Sequence, residues 1–260
     1  MRYMISKPVL KAREVLDYCG IEDPATISLP DLIIYHNGVV NEIPLNNCDG
    51  RMVMKNGKSI VSLNSNIEFP QKKRFVLAHE LGHILLHSNK EATFSDDYST
   101  LEAYKHGSQE KEANDFATEL LMPEVLFKNA CFKQKFSPDL IRLLADKFNT
   151  SITSTIYRFI DFGNHPICIF FSKDGKVEYH RKSAQAYYKI PDRNKLNVPT
   201  DSVANEYYSQ NRIYKKEDSA QQIYKSTWFE LGDYEADRPM FEFCVITPRY
   251  NTVLSVIWEK

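Results

Sequence analysis

Cysteine is sparse and scattered in this chain. The five, Cys19, Cys48, Cys131, Cys168 and Cys244, are odd in number and none stands at Cys-x-x-Cys spacing. A thiolate zinc site and a disulfide framework are therefore not indicated. Charge of one sign is also lacking: Lys plus Arg is 33, Asp plus Glu is 34, and the net charge is -1. Such a balance gives no global pull toward nucleic acid or anionic membrane. No apolar run approaches transmembrane length, and none follows Met1–Pro8 as a secretory signal would require. A reducing cytoplasm is the expected compartment. The chain has 260 residues, 43% of them apolar. That is room for one large or two medium domains with a proper core, and it is not the composition of a disordered chain.

One stretch organises the rest. Phe75–His87 is apolar almost all the way round, as a buried helix is, yet it holds His79, Glu80, His83 and His87. Buried ionisable groups are costly unless paired or bound to metal. His79 and His83 stand at i and i+4, on one helix face, where both rings can reach one ion. Glu80 is the next residue round the helix. This is the His-Glu-x-x-His zinc-hydrolase pattern, two ligands and a carboxylate placed to work on water. The plain alternative is a buried helix whose histidines hydrogen-bond to neighbours.

Before this helix, Pro8–Cys19 is expected to be helical, with an apolar face of Val9, Ala12, Val15, Leu16 and Cys19 and a stop at Gly20. Residues 31–64 read as antiparallel strands. Asn37-Gly38 lies between Leu32–Tyr35 and Val39-Val40, and Asn56-Gly57 between Arg51–Met54 and Ser59–Leu63, each a hairpin signal. The strand before the motif helix is either an edge able to pair with an extended peptide or an interior strand. Residues 88–107 are polar and read as a loop, a lid, rim or connector.

Ser108–Met122 reads as the next helix, capped by Ser108, with an acidic first turn, and stopped by Pro123. Ala113, Phe116, Ala117, Leu120 and Leu121 form its buried face. Glu110 lies on that side, whereas Glu112 is on the solvent side by the helical period. Glu110 thus supplies the third ligand of a His-His-Glu site and leaves a fourth position open; the plain alternative is a surface carboxylate that stabilises the helix dipole. His87 has neither the glycine nor the further histidine of a metzincin around it and is read as a packing or supporting residue.

Arg74–His83 followed by Glu110–Pro123, with its Glu-x-Glu-Ala-Asn-x-Phe-Ala-x-x-Leu-Leu-Met-Pro run, resembles the ImmA/IrrE family of metallo-endopeptidases over roughly residues 30–160. The resemblance implies a gluzincin-like Zn2+ site with His79, His83 and Glu110 as ligands, Glu80 as general base and Asn114 supporting a histidine. It also implies a substrate: a helix-turn-helix repressor-type regulator of a bacterial mobile element or stress response.

Ser137–Lys147 and Ile152–Phe162, joined by Phe148–Ser151, have helix-turn-helix shape. Their basic residues Arg142, Lys147 and Arg158 are balanced by Asp139, Asp146 and Asp161, which is poor for holding phosphates. Gly163–Pro166 marks a boundary. Beyond it come hairpins at Asp174-Gly175 and Pro248–Asn251 and a helix over Ser202–Gln210. The expected architecture is α+β: a zincin-like peptidase domain with an antiparallel sheet and the motif helix at 1–136, a helix-turn-helix-like segment at 137–163, and a small α+β domain at 164–260. The expected function is zinc-dependent endopeptidase acting on a protein substrate. The alternatives are a regulatory binding module that keeps the zinc site with little turnover, and a DNA-binding regulator acting through 137–162.

Overall fold

The computed structural model describes residues 5–46, 48–87, 92–97 (backbone), 108–192 and 196–260. Two compact units emerge, Met1–Leu126 with Ala145–Ser151, and Phe127–Leu144 with Ile152–Lys260.

The first unit opens with α1 (Lys7–Tyr18) and α2 (Leu29–Tyr35). Four strands follow, β1 (Gly38–Ile43), β2 (Cys48–Lys55), β3 (Lys58–Asn64) and β4 (Ala92–Asp97), in sheet order β1-β3-β2-β4. β2 and β3 form the expected hairpin. Asn56 (φ 50) and Gly57 (φ 71) both take the left-handed conformation that a two-residue turn demands.

The other Asn-Gly pair does something different. Residues 32–35 are not a strand but the end of α2, and β1 pairs with β3 in parallel. Ser28-Leu29-Pro30-Asp31 carries helix-start chemistry, and Leu29, Leu32 and Ile33 are buried while Ile34 and Tyr35 face out, a helical spacing. Asn37 (φ 60) follows as the left-handed residue that ends the helix.

The strand before the motif helix is interior, because β3 lies between β1 and β2. Within the expected loop, 92–97 is strand β4, an edge strand antiparallel to β2. The rest of that expectation, 88–91 and 98–107, falls outside the described residues.

α3 (Pro70–His87) packs on β2 and β3, and α4 (Ser108–Leu121) packs on α3 and α1. The first turns of α3 are charged and act as anchors. Lys72 Nζ lies 2.7 Å from the buried Asp49 carboxylate, Lys73 pairs with Glu42, and Arg74 donates to the carbonyls of Ile27 and Pro24. From Val76 to Ile84 every residue is buried. Arg13 on α1 clamps the far end of α4, its Nε donating to Glu119 at 2.7 Å and its Nη2 to Glu124 at 3.0 Å. The shared core runs from Ala12 and Leu29 through Met52 and Val61 to Leu81, Phe116 and Leu120.

α5 (Glu124–Cys131) follows Pro123, with Lys133 at φ 59 beyond its end. α6 (Pro138–Phe148) and α7 (Ile152–Phe162) follow, and the Ser137 hydroxyl accepts from the Leu140 N–H at the start of α6.

The second unit carries a five-stranded antiparallel sheet in order β6-β5-β9-β8-β7. Its strands are β5 (Ile167–Lys173), β6 (Lys176–Lys182), β7 (Ala220–Tyr224), β8 (Pro239–Thr247) and β9 (Thr252–Trp258). The Asp174-Gly175 turn, with both residues at positive φ, and the Pro248–Asn251 turn sit where the sequence expects them. α8 (Val203–Gln210), capped by the Ser202 hydroxyl, and the short α9 (Lys225–Trp228) also belong to this unit, with a core around Phe170, Trp228, Met240 and Ile257. The molecule is thus a mixed α+β protein. No described helix is long and apolar enough to cross a membrane.

Candidate metal centre

His79 and His83, one turn apart on α3, aim their Nε2 atoms at one point, 3.0 Å from each other. Glu110, in the first turn of α4, completes the triangle. Its Oε2 lies 3.1 Å from His79 Nε2 and its Oε1 lies 3.4 Å from His83 Nε2. Both imidazoles are buried and Glu110 is partly so.

These distances suit a shared ion. Bonds of about 2.0–2.1 Å at tetrahedral angles put donor atoms roughly 3.3–3.4 Å apart; the two Nε2 atoms stand 3.0 Å apart, with one Glu110 oxygen 3.1 Å from His79 and its other oxygen 3.4 Å from His83. The donor set is two imidazoles and one carboxylate, the set of a hydrolytic zinc site with an open position. Lone pairs converging this closely repel one another unless a proton or cation lies between them.

The hydrogen bonds around the triangle agree with that use. His79 Nδ1 lies 2.8 Å from Asn114 Oδ1 on α4, so Nδ1 carries the proton and Nε2 keeps its lone pair for the centre. Burial pushes the Glu110 carboxyl up, and in the proton-bearing form of the site, with Nε2–H groups in place of a metal ion, hydrogen bonds from His79 and His83 outweigh this and hold it well below the usual carboxylate range. Glu110 is therefore an anion.

The other residues singled out from the sequence divide as follows. Glu80 is buried on α3, one residue round from the ligand face. Glu112 is the more exposed carboxylate, 3.7 Å from the Nε2 of His87. His87 is buried with its ring 5.4 Å from that of His83.

Two glycines in the site escape sequence reasoning. A Cβ at Gly82 would meet the Phe116 ring at 3.1 Å and the Ala113 backbone at 3.2 Å, so Gly82 is where α3 and α4 come close enough for Glu110 and Asn114 to reach the histidines. The signal for it was a glycine inside an otherwise apolar helix, which usually marks a packing need. A Cβ at Gly50 on β2 would meet Val76 Cγ1 at 2.6 Å and Glu80 Oε1 at 2.8 Å. Nothing local to Gly50 announces that approach.

Comparison with known proteins agrees with this architecture. Residues 35–159 match the Peptidase_M78 family model, described as the IrrE N-terminal-like domain. The "uncharacterized immunity region protein 2" of Bacillus phage phi105 is 40% identical over 70 residues, a stretch covering 27% of this chain and 41% of that relative's length. Among solved structures, a Mycobacterium tuberculosis transcriptional regulator shares the fold, with a TM-score of 0.61 over 98% of this chain and 88% of that one at 14% identity. Residues 35–159 are thus similar to the IrrE N-terminal-like domain of the Peptidase_M78 family.

Proposed function

We propose that this protein is a zinc-dependent endopeptidase whose substrate is a repressor-type transcription regulator. The observation that carries the reading is the convergence of His79, His83 and Glu110, with the His79 tautomer set by Asn114. Zinc held by these three side chains would supply a Lewis acid for the scissile carbonyl and acidify the attacking water. Glu80 takes the proton of that water on a carboxylate oxygen and passes it to the leaving amide nitrogen. Glu110 keeps its negative charge at the centre, and Asn114 keeps the His79 ring oriented.

The regulator as substrate is supported by the likeness to an immunity region protein of a Bacillus phage. The segment of α6 and α7 offers little for DNA. Arg142 is engaged with Asp139, with the Ser219 hydroxyl and over the Phe243 ring, and the buried Arg158 stacks on Phe162. A cytoplasmic setting fits five cysteines that are all free thiols.

The test is Glu80→Gln, side by side with the native chain, read by zinc content and by cleavage of a purified helix-turn-helix repressor-type regulator. The amide keeps size and shape but cannot accept the proton. Zinc should stay at about one per chain, as three protein ligands imply, and cleavage should fall by about 10²–10⁴-fold. Near-native cleavage would remove Glu80 from the mechanism; loss of zinc would make it a structural member of the site.

A further inference from the structure

We propose that the Asp49–Gly50 bulge of β2 is the positioning device for the Glu80 carboxylate. The inference rests on the reading of Glu80 as proton acceptor. Four observations place the bulge against that side chain. In the β2–β4 ladder Cys48 stands opposite Asp97 and Gly50 opposite Asp96, so Asp49 is an extra residue on β2. Such a bulge bends its strand and re-aims the backbone that follows.

Asp49 is buried, and its carboxylate lies 2.7 Å from Lys72 Nζ, in the first turn of the helix that carries Glu80. The ion pair therefore locks bulge and helix to each other. On the other side, the Asn64 amide holds the strand entry with four hydrogen bonds. Its Nδ2 donates to the Leu45 and Cys48 carbonyls at 3.0 and 2.7 Å, and its Oδ1 accepts from the Leu45 and Asn66 N–H groups at 3.2 and 3.0 Å.

The backbone so held is at Gly50, whose absent side chain leaves the space that Glu80 Oε1 and Val76 fill. A glycine in a strand marks close approach of another group, and here the group is the base itself. Any larger residue at 50 must turn the Glu80 carboxylate away. A displacement of about 1 Å at a catalytic group can cost on the order of 10²-fold in rate. Asp49, Gly50 and Asn64 act through Glu80 and are positioning residues.

The test uses the full zinc-loaded chain and has two arms. In a Val76→Ala background, which removes the nearer contact, Tm is measured for Gly50→Ala, Glu80→Ala and the pair. The Tm loss from Gly50→Ala should shrink by about half or more when Glu80 is also alanine, as coupled neighbours require. Equal losses with and without Glu80 overturn the proposal. In the second arm, Gly50→Ala and the milder Asp49→Asn are assayed on the same purified repressor-type regulator. kcat should fall about tenfold or more while KM and zinc content hold. Native kcat in both variants, or a kcat loss that only follows zinc loss, overturns it. Glu80→Gln separates this from the catalytic reading. If that variant cuts normally, both readings fall; if it is inactive while Gly50→Ala and Asp49→Asn cut normally, only the positioning fails.

Discussion

His79 donates through Nδ1 to Asn114 Oδ1 at 2.8 Å, and this single hydrogen bond fixes which ring nitrogen faces Glu110. An amide is a weaker acceptor than a carboxylate, so the imidazole it supports is less basic than one backed by aspartate. Asn114→Ala should weaken zinc binding by roughly 10–100-fold, the usual effect of losing such a partner. Asn114→Asp should bind at least as tightly as the native chain. Competition against a chromophoric chelator measures both. An alanine variant with native affinity would show that the ring is held by packing alone.

Glu110 and Glu112 lie in the same turn of α4 and have opposite expected fates. Glu110 oxygens approach both Nε2 atoms, while Glu112 is the more exposed and lies 3.7 Å from His87 Nε2. Glu110→Ala should therefore lose most of its zinc on dialysis, and Glu112→Ala should keep it. Elemental analysis after dialysis decides; equal loss from the two variants would put the ligand assignment in error.

Gly82→Ala tests the close approach of the two helices. In an exposed helix the change would stabilise by up to about 1 kcal/mol. Here the new methyl meets Phe116 and the Ala113 backbone at 3.1–3.2 Å, so α3 and α4 must separate. Overpacking of this kind costs roughly 1–3 kcal/mol. The variant should unfold at lower denaturant and bind zinc more weakly, because Glu110 moves with α4. A more stable variant with native zinc affinity would contradict the geometry.

How much of this was legible in the sequence differs by kind of signal. Helical spacing was enough to put His79 and His83 on one face and Glu110, not Glu112, toward them, because period and apolar face are local properties. Asn56-Gly57 and Asp174-Gly175 read correctly as turns, whereas Asn37-Gly38 did not. The dipeptide reports only positive φ, and at Asn37 that conformation ends a helix rather than joining two strands. The parallel pairing of β1 with β3, and the strand at 92–97 in a polar segment, depend on partners distant in sequence. Gly50, Gly82 and the Asp49–Lys72 pair matter through what another element brings against them, which no periodicity encodes.

Glu242 in the second unit offers a test by pH. It is fully buried on β8. Its Oε2 accepts from the Val203 N–H at 2.9 Å and the Trp228 indole at 3.2 Å, and its Oε1 accepts from the Ala204 N–H at 3.3 Å, so the carboxylate caps the N-terminus of α8. Burial pushes its pKa above the ordinary 4.5, although bonds from Ser255, Trp228 and the Val203 backbone pull the other way. A carboxyl raised in the folded state binds its proton more tightly there than in the unfolded chain. Its contribution to stability is complete below pH 4.5 and is lost as pH rises through the folded value. Inside that window the native chain should lose up to about 1.4 kcal/mol per pH unit from this group. Glu242→Gln has no such proton to lose. Urea denaturation of both chains across mildly acidic to neutral pH should therefore show the native advantage over the variant shrinking as pH rises. A difference that stays flat would mean that the helix N-terminus and the indole hold Glu242 ionised throughout, and a difference that grows with pH would reverse the sign of its shift.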